Sequence, residues 1–150
     1  MKRTPLYEKH LEYNGKIIDF GGWELPVEYS GILQEHEAVR NKAGLFDVSH
    51  MGEILVIGKD AEKFVQNIVT NDISTMENNQ IYYSLMCYED GGIVDDLLIY
   101  KYNTEKYFLV VNASNSDKDF EWLVINNNYD IKIENVSSKY AEVADRKSVV

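Results

Sequence analysis

Residues 80–112 read QIYYSLMCYEDGGIVDDLLIYKYNTEKYFLVVN, and this stretch decides the fold. Its runs of β-branched, aromatic and other apolar residues predict three strands, at Gln80–Tyr88, Ile93–Tyr102 and Tyr107–Asn112. The connections between them, Glu89–Gly92 and Asn103–Lys106, have the length and composition of hairpin turns. Strands joined by hairpins pair antiparallel, so the stretch predicts the middle of an antiparallel sheet.

The residues on either side of this stretch extend the sheet and add two helices. Glu53–Ile57 and Tyr129–Val136 are predicted strands. One helix follows Asp60 as its N-cap, and the other runs from Asp117 to Asn126. Residues 53–136 therefore have the order β-α-β-β-β-α-β. This order predicts an α+β domain, an elaborated ferredoxin-like layer with both helices on one face of an antiparallel sheet.

The chain outside this domain forms no obvious core of its own. Thr4 and Pro5 predict the start of a helix, and Ser30 is the predicted N-cap of a second helix. We interpret residues 1–52 as an N-terminal segment that packs with further chain. Residues 137–150 are interpreted as a tail beyond the predicted domain.

Composition and charge argue against several classes of function. Acidic residues outnumber basic ones by 25 to 15, and the formal net charge of −10 disfavours a duplex nucleic-acid partner. The single cysteine, Cys87, allows no intrachain disulfide and predicts a cytoplasmic protein. The three histidines lie on separate predicted elements, so no metal site is predicted. No apolar run reaches the ~18 residues of a membrane helix.

Two adjacent carboxylates, Asp95 and Asp96, interrupt the apolar run of the second strand. Side chains alternate along a strand, so the two should point to opposite faces of the sheet. A carboxylate that loses hydration needs hydrogen-bond donors, a cation or a proton, and perturbed carboxylates cluster at functional sites. An alternative stays open at this point: one aspartate caps a loop and the other is merely solvated.

The hairpin length sets a register for this strand. A four-residue connection pairs Tyr88 with Ile93 and Leu85 with Asp96. The face that carries Asp96 then also carries Tyr83, Cys87, Leu98 and Tyr100. A carboxylate between aromatic walls is typical of a pocket for a flat heterocycle with polar edges. The alternative is an aromatic-rich sheet face without a ligand, which is common because tyrosine favours strands.

A series of short blocks, spread over most of the chain, matches one known family in order. The blocks are Thr4–Tyr7, Asp19–Pro26, Glu35–Arg40, Gly44–Gly52, Thr70–Asp72, Tyr83–Cys87, Glu89–Leu97 and Val110–Ala113. Through them the chain resembles the N-terminal part of the glycine-cleavage T proteins, from residue 3 to residue 136. These proteins are tetrahydrofolate-dependent aminomethyltransferases, so the resemblance implies the T-protein folate-binding fold.

The resemblance also implies a reaction and a set of site residues. A T protein takes an aminomethyl group from the lipoyl arm of the H protein, releases ammonia and passes the one-carbon unit to tetrahydrofolate. Asp96 would be the catalytic carboxylate near the reacting folate nitrogens. The folate-binding residues would be Met51, Tyr83, Tyr100 and Asn112. The simple hairpin register places Asn112 opposite Leu97, on the wrong face, so a bulge or another turn length before Tyr107 is expected.

The chain also departs from the family pattern. Family members are well over twice this length, and the sequence after Val136 diverges from theirs. We therefore expect a truncated chain that does not complete catalysis and whose exposed apolar surface favours self-association. A non-catalytic folate-binding or assembly module is the alternative function. A T-like domain from a sarcosine- or dimethylglycine-oxidising enzyme is a third, disfavoured because the match begins almost at Met1.

Overall fold

The computed structural model describes residues 1–147. The chain divides into two compact units, one formed by residues 51–139 and the other by residues 1–50 with the segment that begins at Tyr140. The first of these contains five strands and two helices. They are β5 (Gly52–Ile57), α3 (Ala61–Ile68), β6 (Ile81–Cys87), β7 (Ile93–Asn103), β8 (Lys106–Val111), α4 (Ser116–Ile125) and β9 (Lys132–Asn135), with 3₁₀ turns at Ile73–Thr75 and Ser137–Lys139.

The strands of residues 51–139 form one sheet in the order β6-β7-β8-β5-β9, and all neighbours pair antiparallel. Helices α3 and α4 pack against one face of this sheet. Their contact with the strands forms the main core, which includes Ile54, Phe64, Val65, Leu97, Ile99, Leu109 and Leu123. The predicted α+β class, with helices on one face of an antiparallel sheet, is confirmed.

Helix α3 illustrates how the apolar pattern positions an element. Phe64, Val65 and Ile68 follow helical spacing, so they form a single stripe that is buried against the sheet. Asp60 is the N-cap residue as predicted, but its side chain makes no capping hydrogen bond. Its Oδ1 instead accepts from Lys63 Nζ at 2.8 Å. The prediction of Asp60 as N-cap therefore located the start of α3 correctly, but the capping hydrogen bond that it implies is not formed.

The pairing of β6 with β7 follows the predicted register up to one bulge. Leu85 pairs with Asp96 as predicted, but Cys87 pairs with Ile93, with a register shift after Met86. Val94 is the extra residue of β7, and it lies in the main core on the side of the helices. A bulge of this kind turns two consecutive residues, Val94 and Asp95, toward the same face.

A second bulge in β7 corrects the predicted position of Asn112. Asn103 pairs with Lys106, and the register then shifts by one residue between Lys101 and Asn103. Leu97 consequently pairs with Val111, so the prediction that Asn112 lies opposite Leu97 is wrong. The irregularity before Tyr107 that the resemblance required is present, and it brings Asn112 beside Asp96.

The other unit contains short strands and two helices. They are β1 (Lys2–Arg3), α1 (Tyr7–Glu12), β2 (Ile17–Phe20), β3 (Trp23–Pro26), α2 (Ile32–Asn41), β4 (Gly44–Asp47) and β10 (Val143–Arg146). Strand β3 pairs parallel with β1 and antiparallel with β2. Strand β10, which lies in the segment predicted as a tail, pairs antiparallel with β4.

Both helix starts predicted in this unit are displaced. Helix α1 begins at Tyr7, with Leu6 as its N-cap, because Thr4 donates its hydroxyl to Asp47 at 2.6 Å instead of capping the helix. Helix α2 begins at Ile32 after Gly31, which has a φ of 135°. Glu35 Oε1 accepts hydrogen bonds from the backbone amides that precede this helix, those of Tyr29, Ser30 and Gly31. The Glu35 carboxylate therefore caps the start of α2, the role that the sequence predicts for Ser30.

Asp47 joins the parts of this unit through a buried network. Its Oδ2 accepts from Thr4 Oγ1 at 2.6 Å and contacts His10 Nε2 at 2.7 Å, and its Oδ1 accepts from Ser49 Oγ at 2.6 Å. The other ring nitrogen of His10 contacts the Tyr29 hydroxyl at 2.7 Å. Burial opposes ionisation of Asp47, but the hydrogen bonds from Ser49 and Thr4 outweigh it and lower its pKa.

We expect Asp47→Asn to lower the free energy of unfolding by about 2–3 kcal/mol, because an amide cannot accept this set of hydrogen bonds and leaves buried donors unpaired. Glu37→Gln, the same change on the exposed side of α2, is the control. Since the depressed pKa stabilises the fold above the ordinary aspartate range, the difference between wild type and Asp47→Asn should shrink as the pH falls below that range. Urea unfolding followed by circular dichroism measures it. Equal effects of the two substitutions would contradict the expectation.

Candidate functional site

Asp95 and Asp96 leave β7 in opposite directions. Asp95 lies on the side of α4, where its Oδ2 accepts from Asn115 Nδ2 at 3.1 Å. Its Oδ1 accepts from Asn112 Nδ2 at 2.9 Å and from the backbone amide of Asp96 at 3.0 Å. Asp95 is buried, whereas Asp96 is half-buried. The separation of the two carboxylates that the sequence predicted is therefore present.

Asp96 is held by two side chains from the neighbouring strands. Its Oδ2 accepts from the Tyr83 hydroxyl at 3.0 Å, and its Oδ1 accepts from Asn112 Nδ2 at 3.0 Å. The Asn112 amide also lies 3.3 Å from the Asp96 carbonyl oxygen. A carboxylate has about four lone-pair sites, so Asp96 retains acceptor capacity for a ligand N–H after making these two bonds.

The sheet face directed away from α3 and α4, which we call the second face, carries the remaining predicted site residues. Tyr100 packs edge-on against Phe108, with ring centroids 6.1 Å apart and planes at 87°. Phe108, Val110 and Val136 form a small apolar cluster against which Met51, Leu55, Leu98 and Tyr100 pack. Tyr83 pairs with Leu98 and so lies on the same face.

The structure places the sequence-predicted residues in two groups along one side of the sheet. Met51 and Tyr100 contribute to the apolar cluster, and Tyr83 and Asn112 contact Asp96 directly. Tyr83 is 61% exposed, so its ring is available to a ligand. The second face combines a carboxylate with aromatic and thioether side chains, which is an arrangement suited to a flat ring with polar edges.

Electrostatic effects follow from these contacts. The Asp96 carboxylate accepts the Tyr83 hydrogen bond and thereby raises the pKa of Tyr83. Burial disfavours the charge on Asp95, but hydrogen bonds from Asp119, Asn112 and Asn115 outweigh it and lower the pKa of Asp95. Asp95 is therefore the ionised carboxylate among the polar side chains that lie between β7 and α4.

Sequence reasoning missed two residues of this group, Asn115 and Asp119 at the start of α4. A signal existed for Asp119, because it lies four residues before Leu123 on the apolar stripe of the helix. The Asp119 side chain is fully buried, and Asn115 is half-buried. The close approach of α4 to β5 depends on Gly52, where an added Cβ would lie 2.3 Å from Ser116 Oγ.

Two absences apply to residues 1–147 only. Within that range, no group of histidine, cysteine, aspartate and glutamate side chains has an arrangement that would hold a metal ion. None of the helices in the same range combines the length and the apolar character that a membrane crossing needs.

Comparison with known proteins identifies the class to which this fold and site belong. Residues 6–144 match the family model described as the GCVT N-terminal domain. The chain is 62% identical over 145 residues to an aminomethyltransferase from Alkaliphilus oremlandii and 58% identical to one from Caldanaerobacter subterraneus subsp. tengcongensis. Each alignment covers 96% of this chain and 39% of the relative.

A solved structure agrees with these relatives. The crystal structure of glycine cleavage system aminomethyltransferase T from Bartonella henselae matches with a TM-score of 0.86 and 33% identity, over 97% of this chain and 40% of that one. The chain belongs to the glycine-cleavage T-protein family of aminomethyltransferases, and it corresponds to the N-terminal part of its relatives. It spans about two fifths of their length.

We expect Asp96→Asn to lower the pKa of Tyr83 toward the ordinary tyrosine value, because the substitution removes the negative charge that disfavours the phenolate. Glu89→Gln, an equal change of charge at an exposed position in the β6–β7 turn, should leave it unchanged. An NMR titration of ring-labelled tyrosine measures both. A Tyr83 titration that is the same in wild type and Asp96→Asn would show that the two side chains do not interact.

Proposed function

We propose that this chain provides the tetrahydrofolate-facing part of an aminomethyltransferase of glycine cleavage. The substrate would be the aminomethyl group carried on the lipoyl arm of the H protein. Ammonia leaves, and the one-carbon unit passes to tetrahydrofolate to give methylenetetrahydrofolate and the dihydrolipoyl arm. The observation that carries this proposal is the Asp96 carboxylate, which Tyr83 and Asn112 hold on the second face with acceptor capacity to spare.

Asp96 would act on the reacting nitrogens of the folate. A carboxylate fixed by two hydrogen bonds can accept a further N–H and so orient the folate amine toward the one-carbon unit. Its negative charge stabilises positive charge that develops on the carrier during transfer. It can also take up or return the proton of that amine. All three roles require the oxygens of Asp96 to be accessible, and Asp96 is only half-buried.

Four further residues would form the folate pocket. Tyr83 and Tyr100 offer aromatic surfaces for a flat ring, and Met51 supplies an adaptable apolar contact beside Tyr100. Asn112 offers an amide at the polar edge of this surface, next to Asp96. The shared location of these residues on one sheet face supports the assignment.

The match to the relatives covers only part of their length, which limits what these residues would do by themselves. These 150 residues align with 39% of the length of the aminomethyltransferases they resemble. We propose that residues 53–136 carry the folate-facing sheet and that residues 1–52 belong to the same folate-binding domain. By themselves, the 150 residues would engage tetrahydrofolate without completing transfer, would tend to self-associate through exposed apolar surface, and would act in the cytoplasm.

A second candidate is a folate-binding or assembly module without catalysis. It would describe these 150 residues taken by themselves, which align with 39% of the length of the relatives. The intact contacts of Asp96 favour the first candidate. The two differ in one measurable property, which is transfer of the one-carbon unit.

We expect the chain to bind tetrahydrofolate in a calorimetric titration, and Asp96→Asn to weaken the affinity about tenfold or more, because a charged hydrogen bond contributes roughly 1.5–3 kcal/mol. Asp117→Asn, the same change at an exposed position of α4, is the matched control. Equal affinities of wild type and Asp96→Asn would remove Asp96 from the folate site.

We expect no turnover when the chain alone is supplied with aminomethyl-loaded H protein and tetrahydrofolate, since it aligns with only part of the catalytic relatives. Ammonia release and methylenetetrahydrofolate formation measure this directly. A full-length family member is the positive control. Turnover near that of the control would refute the expectation and would also exclude the non-catalytic module.

A further inference from the structure

A second buried carboxyl group lies beneath Asp95. Asp119 on α4 is 0% exposed. Its backbone amide donates to the Asn115 carbonyl at 2.8 Å, and the Asn115 side chain donates to Asp95 at 3.1 Å, so the two acids lie at the same point of the contact between α4 and β7. The carboxyl group of Asp95 is the one that interacts with that of Asp119. Within residues 1–147, the charged groups that face Asp119 are Asp95 from β7 and Lys118 from its own helix. Lys118 Nζ lies 3.5 Å from Asp119 Oδ1, and it donates a hydrogen bond to the Val94 carbonyl at 2.6 Å.

The contact between the two acids requires a proton. Among residues 1–147, no N–H or O–H group donates a hydrogen bond to either oxygen of Asp119. Two ionised carboxylates that lie side by side in a buried site would repel each other, so one of them must carry a proton. Asp95 already accepts from Asn112, from Asn115 and from the Asp96 amide, which stabilises its ionised form. The proton therefore belongs to Asp119.

The hydrogen bonds continue from this pair to the second face. The Asn112 side-chain amide donates to Asp95 Oδ1 at 2.9 Å and to Asp96 Oδ1 at 3.0 Å. An amide NH₂ has two hydrogens, so these acceptors together fix the plane of the Asn112 side chain. A displacement of Asp95 would turn that amide and remove one of the two bonds that hold Asp96.

We propose that Asp119 is a positioning residue for the folate site: its carboxyl proton anchors Asp95, Asp95 orients the Asn112 amide, and that amide fixes Asp96. The first two links concern this chain alone. The last link, from Asp96 to folate, rests on the proposed function. The proposal gives a buried acid, which the transfer chemistry does not itself use, a defined role in that site.

The arrangement makes the site sensitive to pH near neutrality. Burial and the nearby charge of Asp95 raise the pKa of Asp119 to about 7. The folded protein thus binds this proton more tightly than the unfolded chain does, so the free energy of unfolding falls as the pH rises from the ordinary aspartate range to about 7. Above that range the two carboxylates repel, and the Asn112 amide should reorient.

The direct test is a pH titration of the assigned Asn112 side-chain amide resonances by heteronuclear NMR, between about pH 5 and about pH 9. In wild type we expect one transition near neutrality. Asp119→Asn supplies a neutral N–H donor to Asp95 at every pH, so its resonances should stay close to the acidic wild-type position. Asp95→Asn removes the charge that would repel ionised Asp119, so it should also abolish the reorientation of the Asn112 amide near neutrality. This gives a second variant if the first does not fold.

The proposal is overturned if the Asn112 resonances of wild type are independent of pH, or if their transition persists in Asp119→Asn. Tetrahydrofolate affinity provides the functional arm. We expect wild type to lose about threefold to tenfold in affinity across the transition, and Asp119→Asn to lose none. Equal losses in both proteins overturn the link to the folate site. Absence of tetrahydrofolate binding at every pH refutes the proposed function, while the amide titration still decides the role of Asp119.

Discussion

The side-chain amide of Asn112 donates to two adjacent carboxylates that point to opposite faces of one strand, and the candidate site depends on this contact. Asp95 receives it from beneath, on the side of α4, and Asp96 receives it at the edge of the second face. Neighbouring carboxylates repel unless donors separate their charges. The shared amide supplies that separation, and it ties the buried polar group to the surface where a ligand would lie.

Two bulges in β7 make this contact geometrically possible. The first, at Val94, turns both Val94 and Asp95 toward the helices, so Asp95 can reach Asn115 on α4. The second, after Lys101, shifts β8 by one residue and brings Asn112 beside Asp96. Between the bulges the strand keeps its regular alternation, with Leu97 and Ile99 in the main core and Leu98 and Tyr100 on the second face. Bulges commonly redirect side chains next to functional sites.

The sequence predicted those features that depend on local pattern. Apolar periodicity and turn composition identified the strands from Gln80 to Asn112, and the hairpin length gave the pairing of Leu85 with Asp96. Alternation along a strand correctly separated Asp95 from Asp96. What local pattern cannot encode is a competing tertiary partner. Thr4 was predicted as a helix cap, but Asp47, distant in sequence, takes its hydroxyl.

The position of Asn112 and the partner of Asp119 could not be predicted from local sequence pattern, because both depend on tertiary contacts. A one-residue shift in β7 reverses the face of every residue beyond it in the partner strand, and the residues around Tyr102 carry no turn signal that would predict the shift. Asp119 shows as an acid on an apolar helix stripe, but only the packing of α4 against β7 reveals that Asp95 is its partner. Family resemblance supplied Asn112 as a site residue before its geometry was known.

The most direct test of this account is a crystal structure of the chain with tetrahydrofolate bound. We predict that the folate ring lies on the second face between Tyr83 and Tyr100, with its reacting nitrogens within hydrogen-bond distance of the Asp96 carboxylate. The Asn112 amide should still bridge Asp95 and Asp96. A folate bound elsewhere on the chain, or bound on this face without contact to Asp96, would contradict it.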